Sequence, residues 1–374
     1  MPGLFYRAMR TRALAQIRYV RPIPDAEPGS LVDRVYREMD RDFGLLAPPI
    51  ALAAPAPGPL AAGWLMLREG MLADGPADRS TKEAVAAAVS LGNTCPYCVT
   101  MHTSVLRALG SGKDAGSLAR DRIAKIGDPG LRAVSAWART GAERDAAAAH
   151  PAPFPAAWAP QLVGVAVTFH YLNRMVNVFL PDAPLPPGVP VQALGPVTRV
   201  LSAVIRGAAG RVAAPASSVD LLPPAEPRPD LPWAAADPVL ADVFARAGAA
   251  IDLAARDAVP DSVRTLLLDR LATWDGRPPG PSRAWLGPLA AAVPAADRAA
   301  ARLALLTAFA AYQVDGELIE LVRTGADGGR PADDAALVAL VSWSAFAAAV
   351  RAGAWLRYDG QPPSAPVPAA RARG

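Results

Sequence analysis

The alanine-rich segment over residues 78–91 limits the possible folds more than any other part of the chain. Alanine and valine recur along it on one helical face, its polar residues come early, and Gly92 and Asn93 end it. The motif Cys95-Pro-Tyr-Cys98 follows directly. Because alanine favours helices and adds little strand signal, this segment predicts a helix just before the two cysteines.

Alanine is also a large part of the apolar content of the whole chain. Hydrophobic residues make up 52% of the sequence, whereas aromatic residues make up only 6%. This composition predicts an all-α protein with small side chains at the contacts between helices. A length of 374 residues is enough for two domains, each with its own core.

Proline-rich stretches indicate where the domains begin and end. The predicted divisions are a lead-in over residues 1–30, a helical domain with the cysteine motif over 31–212, a proline-rich linker over 213–235, a second helical domain over 236–360 and a disordered tail over 361–374.

The second predicted domain repeats the order of elements of the first. Residues 296–312 align with residues 77–93, which predicts a tandem duplication. In this alignment Val314 and Glu317 stand at the positions of the two cysteines, so the second copy is degenerate. The alternative is that two alanine-rich helical segments align through their composition alone.

The charge pattern argues against a nucleic-acid partner. The formal net charge is +4, but the only lysines are Lys82, Lys113 and Lys125, and the arginines are scattered. No predicted helix carries a sustained basic stripe with interleaved aromatic residues. We therefore predict no nucleic-acid binding.

Hydropathy predicts a cytoplasmic protein without membrane contact. The longest uncharged apolar run covers residues 335–350 and is shorter than the roughly 20 residues that a spanning helix needs. The N-terminus has no compact apolar core followed by a cleavage site. In the cytoplasm a Cys-x-x-Cys pair is more often redox-active or metal-binding than a structural disulfide.

The spacing of the reactive side chains predicts one cluster. Cys95, Cys98 and His102 lie at i, i+3 and i+7, on one face of a helix for which Thr94 is the expected N-cap. Cys95 would lie in the first turn, where unpaired N–H groups and the helix dipole favour a thiolate. A reversal between the two helices could return the Glu83 carboxylate to His102. The result would be a Glu–His–Cys chain in which the carboxylate orients the imidazole and the imidazole takes the thiol proton.

Such a cluster suits thiol redox chemistry, and three alternatives stay open. A thiolate can attack an electrophilic oxygen or sulfur atom, and a second thiol can then form a disulfide with it. The motif alone resembles the glutaredoxin active site, but that fold has a β-branched strand where this chain has a helix. A zinc site would have three ligands and no evident fourth. The remaining alternative is two core cysteines beside a satisfied histidine.

The pattern E-x11-C-x2-C-x3-H, met by Glu83, Cys95, Cys98 and His102, resembles the AhpD-like alkylhydroperoxidases of the carboxymuconolactone decarboxylase superfamily. The upstream string AAGWLMLREGML supports the resemblance. The later string FHYLNRMVNVF resembles the Asn-Arg helix of peroxidase-related members. The resemblance covers residues 32–180, with a weaker echo in the second half.

The resemblance implies an AhpD-like helical bundle and a two-cysteine peroxidase. On the family's pattern Cys98 is the peroxidatic thiol and Cys95 resolves its sulfenic acid to a disulfide. Glu83 and His102 would form the proton relay. No metal and no cofactor beyond this disulfide are implied. The expected partners are a hydroperoxide, a dithiol donor such as a lipoyl or thioredoxin-like protein, and further copies of the chain in a homo-oligomer.

One position departs from the family pattern. AhpD enzymes have a histidine just before the second cysteine, where this chain has Tyr97. On the long helix predicted over residues 155–179, His170 could take that histidine's place, although a lone histidine on an apolar face is more often a core residue. Asn173 and Arg174 could line the pocket or cap a neighbouring helix.

Two other functions stay open. A redox-sensing or scaffold protein of the same fold would form the disulfide with little turnover. A non-redox enzyme of the decarboxylase type is the second, but those members of the superfamily lack the Cys-x-x-Cys pair.

Overall fold

The computed structural model of the protein describes residues 10–356 except 186, 191, 193–194, 197–212 and 327. The regular secondary structure of these residues is helical. Within these ranges no strand forms, and one isolated parallel bridge joins Ala73 to Ala213. The prediction of an all-α fold is confirmed. The tail predicted over 361–374 lies outside the described residues.

After a helical segment over residues 10–14, the first half of the chain folds into α1 to α9. Their bounds are Leu31–Glu38 (α1), Pro48–Ala51 (α2), Pro57–Leu67 (α3), Arg79–Gly92 (α4), Pro96–Ala108 (α5), Gly112–Leu118 (α6), Pro129–Thr140 (α7), Arg144–Ala149 (α8) and Ala159–Phe179 (α9). π-helical turns over Met39–Phe43 and Arg68–Leu72 extend α1 and α3, and 3₁₀ turns cover Ile123–Lys125 and Ala156–Trp158.

The second half folds into α10 to α15. Their bounds are Pro238–Ala255 (α10), Asp261–Thr273 (α11), Leu286–Ala290 (α12), Arg298–Ala310 (α13), Gly316–Thr324 (α14) and Asp334–Gly353 (α15). 3₁₀ turns cover Val219–Leu221 and Pro232–Ala236 before α10, and Ala295–Asp297 and Ala311–Gln313 on either side of α13.

Helix α9 lies at the centre of the core, and every one of its side chains except Asn177 is buried. It packs against α4 in its own half and against α15 in the other, while α3 packs against α10. Buried residues of both halves form one continuous hydrophobic cluster. The helix that carries the later family motif is therefore held by both halves of the chain.

The segment over residues 213–235, for which a linker is predicted, packs against this core. Leu231 is buried, and the ring of Trp233 meets that of Phe244 edge-to-face with centroids 4.8 Å apart. Gly164 of α9 makes this contact close, since a Cβ there would lie 3.4 Å from Trp233. The segment thus belongs to the packed structure and is not a free spacer, while the predicted domain boundaries stay a prediction.

Helix α15 is long and apolar enough, by length and composition alone, to cross a membrane. It has 20 residues and extends beyond the uncharged run at both ends. Its most apolar window is 72% buried inside the protein, where the helix packs against α9, α10 and α13. Its position in the core accounts for its apolar character.

The predicted duplication is compatible with the packing but stays a prediction. Helix α13 packs on α15 as α4 packs on α9. Asp297 precedes α13 as Asp78 precedes α4, although only Asp78 makes a side-chain capping hydrogen bond.

Candidate active site

The reversal between α4 and α5 positions the two cysteines. Helix α4 begins after Asp78, whose side chain accepts a hydrogen bond from the Thr81 N–H. At the far end Thr94 adopts a left-handed φ of 52°, and the Cys95 N–H donates to the Ser90 carbonyl at 2.9 Å. The prediction of Thr94 as N-cap is wrong. The N-cap of α5 is Cys95, because the left-handed residue before it already turns the chain.

Both cysteines are free thiols and both are buried. Cys98 lies in the first turn of α5, three residues after Cys95, and its N–H and thiol both influence the pKa of Cys95. Burial and the Cys98 thiol raise the pKa of Cys95 well above its ordinary value of 9.0, although the Cys98 N–H and the Asn173 amide lower it in part. The expectation of a favoured thiolate at Cys95 is therefore wrong, because desolvation outweighs the helix terminus.

The predicted contact between Glu83 and His102 forms. A Glu83 carboxylate oxygen lies 2.7 Å from His102 Nδ1, and the other oxygen accepts a hydrogen bond from Arg79 Nε at 2.7 Å. Burial alone would raise the pKa of Glu83, but the charges and hydrogen bonds of Arg79 and His102 lower it below its ordinary value. An ionised Glu83 selects the Nδ1–H tautomer of His102. The other ring nitrogen, Nε2, is then an acceptor.

His102 lies one turn after Cys98 and is oriented from two sides. The imidazole meets the Phe169 ring edge-to-face with centroids 4.5 Å apart, while Glu83 holds its Nδ1. Its side chain keeps 17% of its surface accessible, in contrast to 1% for Glu83. The imidazole of His102 therefore contacts the buried Glu83 carboxylate on one side and borders the accessible space beside Cys98 on the other.

That space is a cavity of about 710 Å³. Glu83, Tyr97, Cys98 and His102 line it, whereas Cys95 is not among its described lining residues. Most of the remaining walls are apolar: Phe43, Leu45, Leu46, Ile50, Leu67, Met71, Met101, Val105, Phe169 and Leu172. The two thiols thus differ in their access to the cavity. A small molecule there can contact Cys98, whereas Cys95 lies behind Cys98.

Tyr97 takes the place of the family histidine and also lines the cavity. Burial raises the pKa of its phenol, and the neighbouring thiols Cys98 and Cys95 raise it further. The phenol is therefore neutral at physiological pH. It can donate or accept a hydrogen bond at the cavity wall but does not act as a base there.

A buried polar network lies on the other side of Cys95. The Asn173 side-chain amide donates to Ser90 Oγ at 3.0 Å and also lowers the pKa of the nearby Cys95 thiol in part. Asn93 donates to Asn173 Oδ1 at 2.9 Å and contacts His170 Nδ1 at 3.1 Å. Burial and the nearby Arg174 charge lower the pKa of His170 well below its ordinary value, so this histidine is neutral.

Arg174 joins this network to the second half of the chain. Its Nε donates to the Ala308 carbonyl of α13 at 3.0 Å, and its guanidinium lies 5.9 Å from the Trp274 ring centroid. His170 and Arg174 line a separate cavity of about 50 Å³. Of the predicted pocket residues, therefore, only Tyr97 lines the large cavity. Asn173 reaches the site from behind, through Cys95.

Sequence reasoning missed Arg79, Ser90 and Asn93. The i, i+4 spacing of Arg79 and Glu83 is a signal that could have found the first. The other two have no such signal, because they contact residues of α9 that are about 80 positions away in sequence. Among the described residues, no group of three or more His, Cys, Asp or Glu side chains could hold a metal ion.

Comparisons with known proteins agree with this geometry. The sequence profile of the carboxymuconolactone decarboxylase family matches residues 58–140, which span α3 to α7. An alkyl hydroperoxide reductase of Mycobacterium tuberculosis is 35% identical over 348 residues, which cover 91% of this chain and 95% of that protein. The similarity therefore extends through both halves of the chain.

Proposed function

The chain belongs to the carboxymuconolactone decarboxylase family, in its AhpD-like branch, and we propose that it is a thiol-dependent hydroperoxide reductase. One observation carries the proposal. Cys98 and the Glu83–His102 pair face a largely apolar cavity, and a second buried thiol, that of Cys95, lies three residues before the first. A relative that is named an alkyl hydroperoxide reductase and aligns over most of both chains supports it.

In the first step Cys98 reduces the hydroperoxide. His102 Nε2 takes the Cys98 proton, and the thiolate attacks the terminal oxygen of the O–O bond. That bond breaks, the alcohol leaves with the proton from His102, and Cys98 becomes a sulfenic acid. Glu83 stabilises the imidazolium while it holds the proton.

In the second step Cys95 resolves the sulfenic acid. The Cys95 thiol loses its proton and attacks the Cys98 sulfur, the S–O bond breaks, and the hydroxide leaves as water. One hydroperoxide and two thiols thus give one alcohol, one water and one disulfide. A dithiol donor, such as a lipoyl or thioredoxin-like protein, then reduces the disulfide by attack on Cys98, the sulfur that lines the cavity.

Replacing Cys95 with serine tests the order of the two thiols. In a single turnover with an organic hydroperoxide, wild-type protein should lose both thiols to one disulfide. Cys95→Ser should consume one equivalent and then hold a sulfenic acid on Cys98, which dimedone labelling and mass spectrometry detect. If both thiols of the wild-type protein survive excess hydroperoxide at neutral pH, the proposed function is wrong.

Replacing Asn173 with alanine tests the resolving step. The amide favours the Cys95 thiolate, so its loss should raise the pKa of Cys95 further and slow disulfide formation about tenfold at neutral pH. The rate of sulfenic acid formation on Cys98 should change much less. Rapid mixing separates the two phases, and the slower phase should recover as the pH is raised.

Asn177→Ala is the matched control for Asn173→Ala. Asn177 lies on the same helix and donates to the Asn93 backbone carbonyl at 3.1 Å, without a recorded contact to Cys95. It should leave the ratio of the two phases unchanged. Equal slowing of both phases in Asn173→Ala, or equal effects in the two variants, would contradict the role assigned to Asn173.

A redox sensor is the second candidate function, and the environment of Cys95 is the observation that favours it. A resolving thiol with a raised pKa attacks slowly, so the sulfenic acid or the disulfide could serve as a signal. Steady-state assays distinguish the two functions. A reductase consumes many equivalents of hydroperoxide when a dithiol is supplied, whereas a sensor stops near one equivalent.

A further inference from the structure

Two arginines at the large cavity have no ion-pair partner among the described residues. Arg10, Arg12 and Arg79 all line it, but only Arg79 pairs with a carboxylate, that of Glu83. The Arg10 guanidinium stacks 4.7 Å above the Tyr36 ring, and its buried Nε has no hydrogen-bond partner. Arg12 is exposed. Positive charge that no carboxylate of the described residues neutralises thus borders an apolar space.

The charges of Arg10 and Arg12 at the cavity wall favour an anionic group in the cavity. Guanidinium groups form their strongest hydrogen bonds with carboxylates and phosphates. The single negative side chain that lines this cavity, among the described residues, is Glu83, and Arg79 and His102 already occupy its two oxygens. Among the described residues, therefore, no carboxylate at this cavity is left to pair with Arg10 or Arg12.

The rest of the cavity fits a long hydrocarbon chain. Its volume of about 710 Å³ lies within the range of about 300–1,000 Å³ that is typical of ligand pockets. If each carbon of a chain takes up roughly the 30 Å³ of a water molecule, about two dozen carbons fit, so a chain of about eighteen carbons has room. A small neutral hydroperoxide would leave most of the apolar wall uncovered and would make no use of the arginines.

We infer that the preferred substrate is the hydroperoxide of a long-chain carboxylic acid, whose chain lies in the apolar cavity and whose carboxylate binds Arg10 and Arg12. The inference rests on the proposed function and names the substrate class of the same site. The chemistry at Cys98 is unchanged: the O–O bond breaks, the hydroxy acid leaves, and the carboxylate takes no part in the redox step. A phosphate headgroup shares the anionic chemistry, but a lipid with two chains exceeds the cavity.

Rates of sulfenic acid formation test the inference without an electron donor. Single-turnover rate constants are measured for the hydroperoxide of an eighteen-carbon unsaturated fatty acid, for its methyl ester, and for tert-butyl hydroperoxide, all below micelle-forming concentrations. The acid should react about tenfold faster than the ester, and the ester faster than tert-butyl hydroperoxide. The advantage of the acid over the ester should shrink as salt is added.

The variant Arg10→Gln/Arg12→Gln should bring the ratio of acid to ester close to one. Arg120→Gln is the matched control, because Arg120 is exposed just after the end of α6 and its guanidinium donates to the Gly116 carbonyl of that helix, away from the cavity lining. It should keep the wild-type ratio. The single variant Arg12→Gln, at an exposed position, gives a partial loss even if the double variant melts at a lower temperature.

The outcomes separate this inference from the proposed function. Equal rates for acid and ester in the wild-type protein, or an unchanged ratio in the double variant, overturn the carboxylate site while Cys98 oxidation still occurs. Faster oxidation by a phospholipid hydroperoxide than by the fatty acid overturns the stated substrate class. If none of the hydroperoxides oxidises Cys98, the proposed function itself is wrong.

Discussion

Cys98→Ser is expected to abolish hydroperoxide reduction, with a loss on the order of 10³-fold or more in rate. A serine hydroxyl at this position cannot become an effective nucleophile at neutral pH, because its pKa is far above that of a thiol. The remaining thiol, Cys95, cannot replace it, since it lies behind Cys98 and burial raises its pKa. The measurement is hydroperoxide consumption with dithiothreitol as reductant, under conditions in which the wild-type protein turns over repeatedly.

Cys95→Ser is the matched control for Cys98→Ser, because it also leaves one thiol in the same reversal. It should still react once with hydroperoxide, whereas Cys98→Ser should not react at all within the same time. Thermal melting of both variants shows whether the helices remain packed. If Cys98→Ser reacts as fast as the wild-type protein, another group is the nucleophile and the proposed mechanism fails.

Glu83→Gln is expected to lower the rate of the first step by about 10²-fold. Glutamine cannot balance the positive charge on the imidazolium, and it leaves the charge of Arg79 without a partner. His102→Gln should have an effect of similar size. The double variant should be little slower than either single one, because the two residues act as a unit. Additive losses would mean that the pair does not function as one relay.

Protein stability should depend on pH through the same carboxyl group. The pKa of Glu83 in the folded protein lies below its ordinary value of 4.5, so its ionised form stabilises the fold. This contribution is present above the ordinary value and is lost as the pH falls through the lowered pKa. Denaturant unfolding at several pH values should therefore show a loss of stability on acidification, and part of that loss should be absent in Glu83→Gln.

Local features of the sequence were sufficient to predict the helices around the site. Asp78 and Gly92 are strong start and stop signals, and the observed α4 has these bounds within one residue. The i, i+3, i+7 spacing placed Cys95, Cys98 and His102 together. The twelve-residue interval between Glu83 and Cys95 predicted a contact between Glu83 and His102, because a short reversal between two helices allows few other arrangements. In the structure these two side chains lie 2.7 Å apart.

Features that depend on distant packing could not be predicted in this way. The pKa of Cys95 is raised by burial under α9, and the position of Asn173 beside it follows from the contact between α9 and α4. The proline content of residues 213–235 indicated an extended spacer, yet Trp233 anchors this segment in the core. Local sequence patterns indicate secondary-structure propensity, but they do not show which distant residues pack against a given side chain.

The contacts of α9 with α15 and of α3 with α10 join parts of a single chain. Two separate subunits would form such contacts only above a threshold protein concentration. The two halves of this chain are covalently linked, so their concentration relative to each other does not fall on dilution. Residues of the second half that contact neither α3 nor α9 therefore affect the site only through the shared core. Arg174 donates to the backbone carbonyl of Ala308, not to its side chain. A substitution at Ala308 therefore preserves this hydrogen bond to the polar network behind Cys95.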